Sequence, residues 1–434
     1  MTLHEKITEL RREKKNSALV ILFFTYISIP TIWLCMIHST VIQFPILLLP
    51  LWFLFGVAQY YIVISGHEAV HKTLCYPIER NEVLGVFGQA LVGVNFTAYR
   101  QQHIDHHKSS SYIEDPDAHI YMGVIRKKKG LYRFLFLTLG TLIEIFVKIR
   151  QKGSGGFGSD KRKLSEKIRR DMNRDSKLVI IAQITIMLLT QQVCLQYIDF
   201  YDNQYPTFEN NIVQNNWYIN MRLLIEGSLG SFYPLFSMIF SAFVGYALFW
   251  VAPLFGVTVF LNRCRIVIEH GLPLLQAKNL PLINTTDKDN ADEITDEFEE
   301  EIAFKSPKPK KKAERYDITH QNETYIKNSR TGTPFNSNMT TSSNKKKGPR
   351  IPTIDILPPK WQQIIFSPFS FNYHCTHHLF MGVPHYNLHK LHQILREEEY
   401  PGFFFQEKSY IGSLREILDY EQLEPPSQTV SSSK

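Results

Sequence analysis

Four stretches of the chain run for about twenty residues or more without a charge: Ala18 to Met36, Val41 to Ile64, Leu178 to Leu195 and Phe232 to Leu261. A helix rises about 1.5 Å per residue, so each stretch is long enough to cross about 30 Å of hydrocarbon. They predict membrane-spanning helices at about 18–38, 41–64, 178–195 and 232–262, hence an all-α integral membrane fold. The last run, of about thirty residues, reads as one crossing that tilts or continues into the interface. Two other apolar stretches fail the same test. Gly85 to Phe96 is too short to span and reads as a re-entrant or buried segment. Leu131 to Ile149 holds Arg133, Glu144 and Lys148, and reads as an amphipathic helix lying in the interface.

The polar positions orient these spans. Lys6, Arg11, Arg12, Lys14 and Lys15 precede the first, and a basic stretch from Lys148 to Lys177 precedes the third. The positive-inside rule places both on the cytoplasmic side, and four crossings return the chain there. The first span is long, lacks an A-x-A-like site and is followed at once by another, unlike a cleavable signal peptide. Residues 1–17 are then a cytosolic N-terminal segment and 18–282 the first part of a membrane domain. An acidic block (Asp287 to Glu301), a basic block (Lys305 to Arg315) and an Asn/Ser/Thr/Lys-rich stretch follow. Such a composition cannot bury a core, so residues 283–350 are expected to be a disordered insertion. Its sequons at Asn284, Asn322 and Asn338 would face the cytoplasm. Residues 351–405 resume the domain and 406–434 form a tail.

A net charge of +7, carried beside spans, suits topology and anionic lipid and calls for no nucleic acid. The basic face from Lys161 to Arg174 also offers a docking surface for an acidic partner. Cys35, Cys75, Cys194, Cys264 and Cys375 form no CxxC pair, predicting neither a disulfide framework nor a thiolate metal site.

The 16 histidines are distributed unevenly. His67 and His71 form HEAVH at the end of the second span. His103, His106 and His107 form HIDHH; His374, His377 and His378 form HCTHH; His270 follows the fourth span in IEH. Positions i, i+3 and i+4 share one face of a helix, so each cluster can aim its imidazoles at one point. Span parity puts all four segments on one side of the bilayer. Nine neutral nitrogen donors exceed what one ion of four to six ligands takes, and suit two. Imidazole serves Fe, Zn, Cu and Ni, leaving the metal open. Glu68, Asp117 and Glu269 are expected to accept the second ring N–H of ligating histidines. His119, His320, His385, His389 and His392 lack the spacing and read as surface or supporting residues. HEAVH also fits the HExxH helix of zinc peptidases, but that reading leaves both HxxHH clusters without a purpose.

These residues resemble the membrane fatty acid desaturase superfamily, with its HxxxH, HxxHH and HxxHH boxes. FTAYRQQHIDHHKSSSYIEDPD (96–117) is similar to the second-box segment, FNYHCTHHLFMGVPHYNLHKLHQIL (371–395) to the third, and RIVIEHGLP to the region of an extra histidine after the last span. The resemblance implies a four-span architecture with a cytosolic helical cap. It also implies that His67, His71, His103, His106, His107, His270, His374, His377 and His378 hold two iron ions. Dioxygen would be the co-substrate, and hydrogen would be removed from an unactivated acyl chain. Hydroxylases and ketolases of alkanes, sphingolipids or carotenoids share this fold and remain the alternative. The stretch between His270 and His374 is longer than usual for the family. No HPGG-type haem segment occurs, so electrons are expected from a separate donor such as cytochrome b5 or ferredoxin. The Asn/Lys-rich insertion favours the endoplasmic reticulum over a bacterial inner membrane.

Overall fold

The computed structural model describes residues 2–41, 45–109, 115–127, 129–150, 164–204, 234–276, 353–400 and 403–420, with short pieces between 220 and 228. The insertion expected at 283–350, its sequons and His320 lie outside these residues. Contacts group Met1–Gln276 with Lys347–Lys434 as one unit and Ala277–Lys346 as another; all described residues belong to the first.

Among the described residues the regular elements are helices apart from one pair of two-residue strands. Helix α1 (Leu3–Arg12) starts at a reciprocal cap: the Thr2 hydroxyl accepts from Glu5 N, and the Glu5 carboxylate accepts from Thr2 N. α2 (Ser17–Val41) and α3 (Leu48–Val70) pack side by side. α4 (Arg80–Leu91), α5 (Phe96–Ser109), α6 (Ala118–Ile125) and α7 (Leu131–Arg150) lead to α8 (Glu166–Gln204) and then to α9 (Leu235–Gln276). Among the described residues, four helices are long and apolar enough to cross a membrane: Ser17–Thr40, Leu48–Val70, Glu166–Phe200 and Leu235–Gln276. They present Phe23, Phe24, Leu49, Leu54, Ile180, Ile181, Leu188 and Phe236 outward, a surface suited to lipid.

α9 is not a regular α-helix. It carries π turns at Ala247–Val251, Leu254–Val259 and Val267–Gly271, each of which adds a residue to a turn and rotates the rest of the helix about its axis. The third contains Glu269 and His270. His270, expected just past the span, therefore lies inside the helix.

α4 approaches α3 closely beside the first histidine pair. Gln89 donates to the carbonyls of Ile62 (3.0 Å) and Val63 (3.2 Å). A Cβ on Gly66 would fall 2.0 Å from Gln89 Nε2, so any larger residue next to His67 would push Gln89 off these carbonyls. The apolar stretch 85–96 forms the second half of α4 and the turn into α5. α7 turns Arg133 inward, where it donates to the carbonyls of Ile125, Lys127, Ile417 and Tyr420. Leu131, Tyr132, Phe134, Leu135, Leu139 and Leu142 stay exposed, so this charge does not interrupt the apolar outer face.

The C-terminal part begins at β1 (Asp355–Ile356), followed by α10 (Lys360–Phe366), α11 (His374–Leu379) and α12 (Leu388–Glu397). β2 (Phe405–Gln406) pairs in parallel with β1, and α13 (Tyr410–Asp419) ends the described chain. Leu388, Leu391 and Leu395 of α12 pack with Phe380 and Val383 against Ile7 and Leu10 of α1.

Candidate metal centre

Two helices that end a span and two that do not bring the histidines together. α3 supplies His67 in its last turn and His71 as its cap; α9 supplies His270. α5 supplies His103, His106 and His107, and α11 supplies His374, His377 and His378. The start of α5 is pinned to α8, where Asp175 accepts from Thr97 N (2.9 Å) and Thr97 Oγ1 (2.7 Å).

The nine side chains form two groups. His67, His71, His103, His107 and His377 make one; His106, His270, His374 and His378 make the other. Within each, one ring nitrogen per residue lies within 4.8 Å of all the others. The groups abut, with the His107 and His378 rings 4.2 Å apart. α5 and α11 each contribute to both.

More ring nitrogens converge than hydrogen bonding alone can satisfy. His103 Nε2 lies 2.8 Å from His71 Nε2 and 2.9 Å from His107 Nε2. His374 Nε2 lies 2.9 Å from His270 Nε2 and 3.0 Å from His378 Nε2. A neutral imidazole has one proton for two nitrogens, so several lone pairs in each group face one another. Nε2 of His67 is buried with no hydrogen-bond partner. A shared cation resolves this: with metal–nitrogen bonds of about 2.1 Å, adjacent ligand atoms are about 3.0 Å apart in an octahedron and about 3.4 Å in a tetrahedron. The residues present thus fit a pair of metal ions.

Electrostatics agree. Burial, reinforced by neighbouring imidazoles, pushes His103, His107, His374, His377 and His378 well below the usual histidine range, and His71 to about 3. They are neutral donors at neutral pH, as metal binding requires. His106 is the exception: burial lowers it, but the bond to Asp115 and the charge of Asp117 outweigh burial and leave it raised.

The outward ring nitrogens meet carboxylates. His67 Nδ1 lies 3.0 Å from Glu68 Oε1, and Thr73 Oγ1 donates to Glu68 Oε2 at 2.8 Å. His374 Nδ1 is 3.5 Å from Glu269, which is ion-paired with Arg265 and lies 3.4 Å from Tyr410 Oη. For His106 the short contact is with Asp115, at 2.8 Å; Asp117, singled out from the sequence, is 3.7 Å away and accepts from Gln102. Asp115 also accepts from Tyr121 Oη (2.9 Å), whose ring stacks on His270. Spacing did not separate Asp115 from Asp117, because both lie in the turn after α5. His119 and His389 are exposed, whereas His385 and His392 are buried and therefore not surface residues. His385 Nδ1 is 3.7 Å from Glu68, and His392 Nδ1 is 2.8 Å from Asp355.

Fold and site together define a helical protein with four membrane-length helices among the described residues and a polyhistidine centre built at two of them, α3 and α9, and on the shorter helices α5 and α11. Residues 44–296 and 335–407, which include all nine histidines, match the family described as Fatty acid desaturase. The chain belongs to that family. No curated protein and no solved structure matches it.

Proposed function

We propose that the protein is an oxygen-dependent desaturase of fatty acyl lipids that uses two histidine-held iron ions. The observation that carries this reading is the division of nine imidazoles, seven of them buried and two half-buried, into two abutting groups beside the ends of the apolar helices α3 and α9. His67, His71, His103, His107 and His377 would hold one ion, and His106, His270, His374 and His378 the other. When bound, the iron pair supplies reductive activation of dioxygen and the power to take hydrogen from an unactivated carbon. The balance is one saturated carbon pair, O2, two electrons and two protons giving one double bond and two waters.

The chain's own residues prepare the site for this chemistry. Glu68 and Asp115 bond the outward ring nitrogens of His67 and His106, which fixes ring direction and tautomer, and Glu269 faces that of His374 at 3.5 Å. Burial of the cluster excludes bulk water from a strong oxidant. Its place at the ends of α3 and α9 lets an acyl chain approach from lipid. The cluster faces the cytosol, the membrane is the endoplasmic reticulum, and electrons arrive from a separate cytochrome b5- or ferredoxin-type donor. Glu68 does not suit the general base of a zinc peptidase, because His67 and Thr73 already occupy its carboxylate.

Metal analysis combined with gas chromatography of lipids from a host expressing the chain tests this. The expected result is about two irons per chain and new double bonds, both lost in His107→Ala and His377→Ala. One zinc per chain with activity surviving those substitutions overturns it, and new hydroxyl groups in place of double bonds replace desaturation by hydroxylation.

A further inference from the structure

α11 carries three of the nine histidines on six residues. A helix this short has no stability of its own, and here it also lacks a local cap: the preceding Tyr373 makes no side-chain bond to its free amides. Yet its orientation matters to both groups, as that of α5 does, because His377 belongs to one group while His374 and His378 belong to the other. A rotation of α11 would disturb both groups at once.

What holds it comes from elsewhere in the chain. Asp355 of β1, fully buried, accepts from Thr376 N at 3.0 Å and from Thr376 Oγ1 at 2.5 Å. Its carboxylate thus sits at the amide end of α11, where a negative charge is favoured. Asp355 is fixed in turn by His392 of α12, whose Nδ1 lies 2.8 Å from Oδ2. A carboxylate only accepts, so Nδ1 carries the proton. His392 is itself packed between the rings of Tyr373, Phe403 and Phe405, and its Nε2 has no partner, so the imidazole has one polar task. β1 is anchored independently: Asp355 N donates to Phe404 O, and Ile356 N to Asn372 O just ahead of α11.

We infer that Asp355 and His392 are positioning residues for the metal centre, acting as a buried carboxylate–imidazole pair that sets the orientation of α11 and so of His374, His377 and His378. Neither residue belongs to the ligand set, and the inference rests on the reading of those histidines as ligands. Thr376 is the link: it lies within the HCTHH motif, yet its hydroxyl and amide both serve Asp355.

The test compares the full-length wild type with His392→Leu, His392→Gln and Asp355→Asn in lipid nanodiscs. Metal affinity is read by chelator competition, and the iron environment by Mössbauer spectroscopy at full loading. His392→Leu is expected to weaken metal binding about 10- to 100-fold and to change the spectra of both irons. His392→Gln, whose amide can still donate to Asp355, should recover most of that affinity and a near-native spectrum. Asp355→Asn cannot accept all three bonds and should fall between them. Wild-type affinity and spectra in both His392→Leu and Asp355→Asn overturn the inference, as does a Gln variant as weak as Leu. Should His392→Leu fail to fold, Asp355→Asn and His392→Gln decide the matter by the same measurements. A wild-type chain that binds no metal through its histidines sinks the underlying reading too, whereas normal wild-type loading with unaltered variants sinks only the positioning role.

Discussion

Replacing Asp115 by alanine separates the two metal groups. Asp115 is buried, and its carboxylate takes three donors: His106 Nδ1 at 2.8 Å, Asp117 N at 2.9 Å and Tyr121 Oη at 2.9 Å. Through Tyr121, whose ring stacks on His270 at 5.5 Å, it also bears on a second member of the four-histidine group. A buried donor left without a partner costs about 1–3 kcal/mol. Loss of the carboxylate behind a ligating histidine typically weakens metal binding by about 10- to 100-fold, or about 1.4–2.7 kcal/mol. The two figures agree on one uncompensated donor at His106, with the backbone amide and the hydroxyl re-paired by water or by rotation. Chelator competition on the full chain should therefore show one ion held about 10- to 100-fold more weakly and the other little changed, because Asp115 bonds to His106 and, through Tyr121, bears on His270, both in the four-histidine group. Asp115→Asn keeps an acceptor for His106 and offers Tyr121 an N–H, so it should stay closer to the wild type. Equal weakening of both ions, or none, would refute the reasoning.

Acid sensitivity follows from the same geometry. In the metal-free fold His71, His103, His107, His374, His377 and His378 refuse protons that the unfolded chain accepts below about pH 6.5, so stability falls as pH drops through that value. His106 has the opposite sign: its raised pKa adds stability below the unfolded value that fades as pH rises through the folded one. Urea unfolding of the metal-free protein between about pH 5 and 8 should show net acid destabilisation, steeper in Asp115→Ala; a flat profile would contradict it. Arg133→Met strands the carbonyls of Ile125, Lys127, Ile417 and Tyr420, with an expected loss of about 2–3 kcal/mol. Limited proteolysis within residues 403–420 should accelerate, and an unchanged cleavage rate would show that Arg133 does not hold the C-terminal helix.

What the sequence revealed, it revealed through period. Charge-free length marked the spans, although α3 begins and ends later than the run Val41 to Ile64 suggests, and α8 continues Leu178 to Leu195 in both directions as polar helix. The i, i+3, i+4 spacing marked the histidines that the fold brings together, and Glu68 was legible because it adjoins His67. Long-range partners leave no such trace. Nothing local distinguishes Asp355 from other loop acids, or His392 from the exposed His389 on the same helix. Arg133 argued against a crossing at Leu131 to Ile149, but its carbonyl partners at Ile417 and Tyr420 come from the far end of the chain.

The unseen carboxylates share a logic. α3 and α9 hold their histidines on long helices whose direction is set by packing along their length. α5 and α11 are shorter, and each starts against a carboxylate from another element: Asp175 of α8 on Thr97, and Asp355 of β1 on Thr376. In both cases one threonine gives its amide and its hydroxyl to the same aspartate, a two-point contact that fixes rotation as well as position. These are also the two helices that feed both metal groups, so small rotations there would spoil two coordination sets together. External fixation thus falls where a rotational error would do most damage, and on the two-metal reading proposed above it is that fixation, rather than the histidines alone, that preorganises the centre.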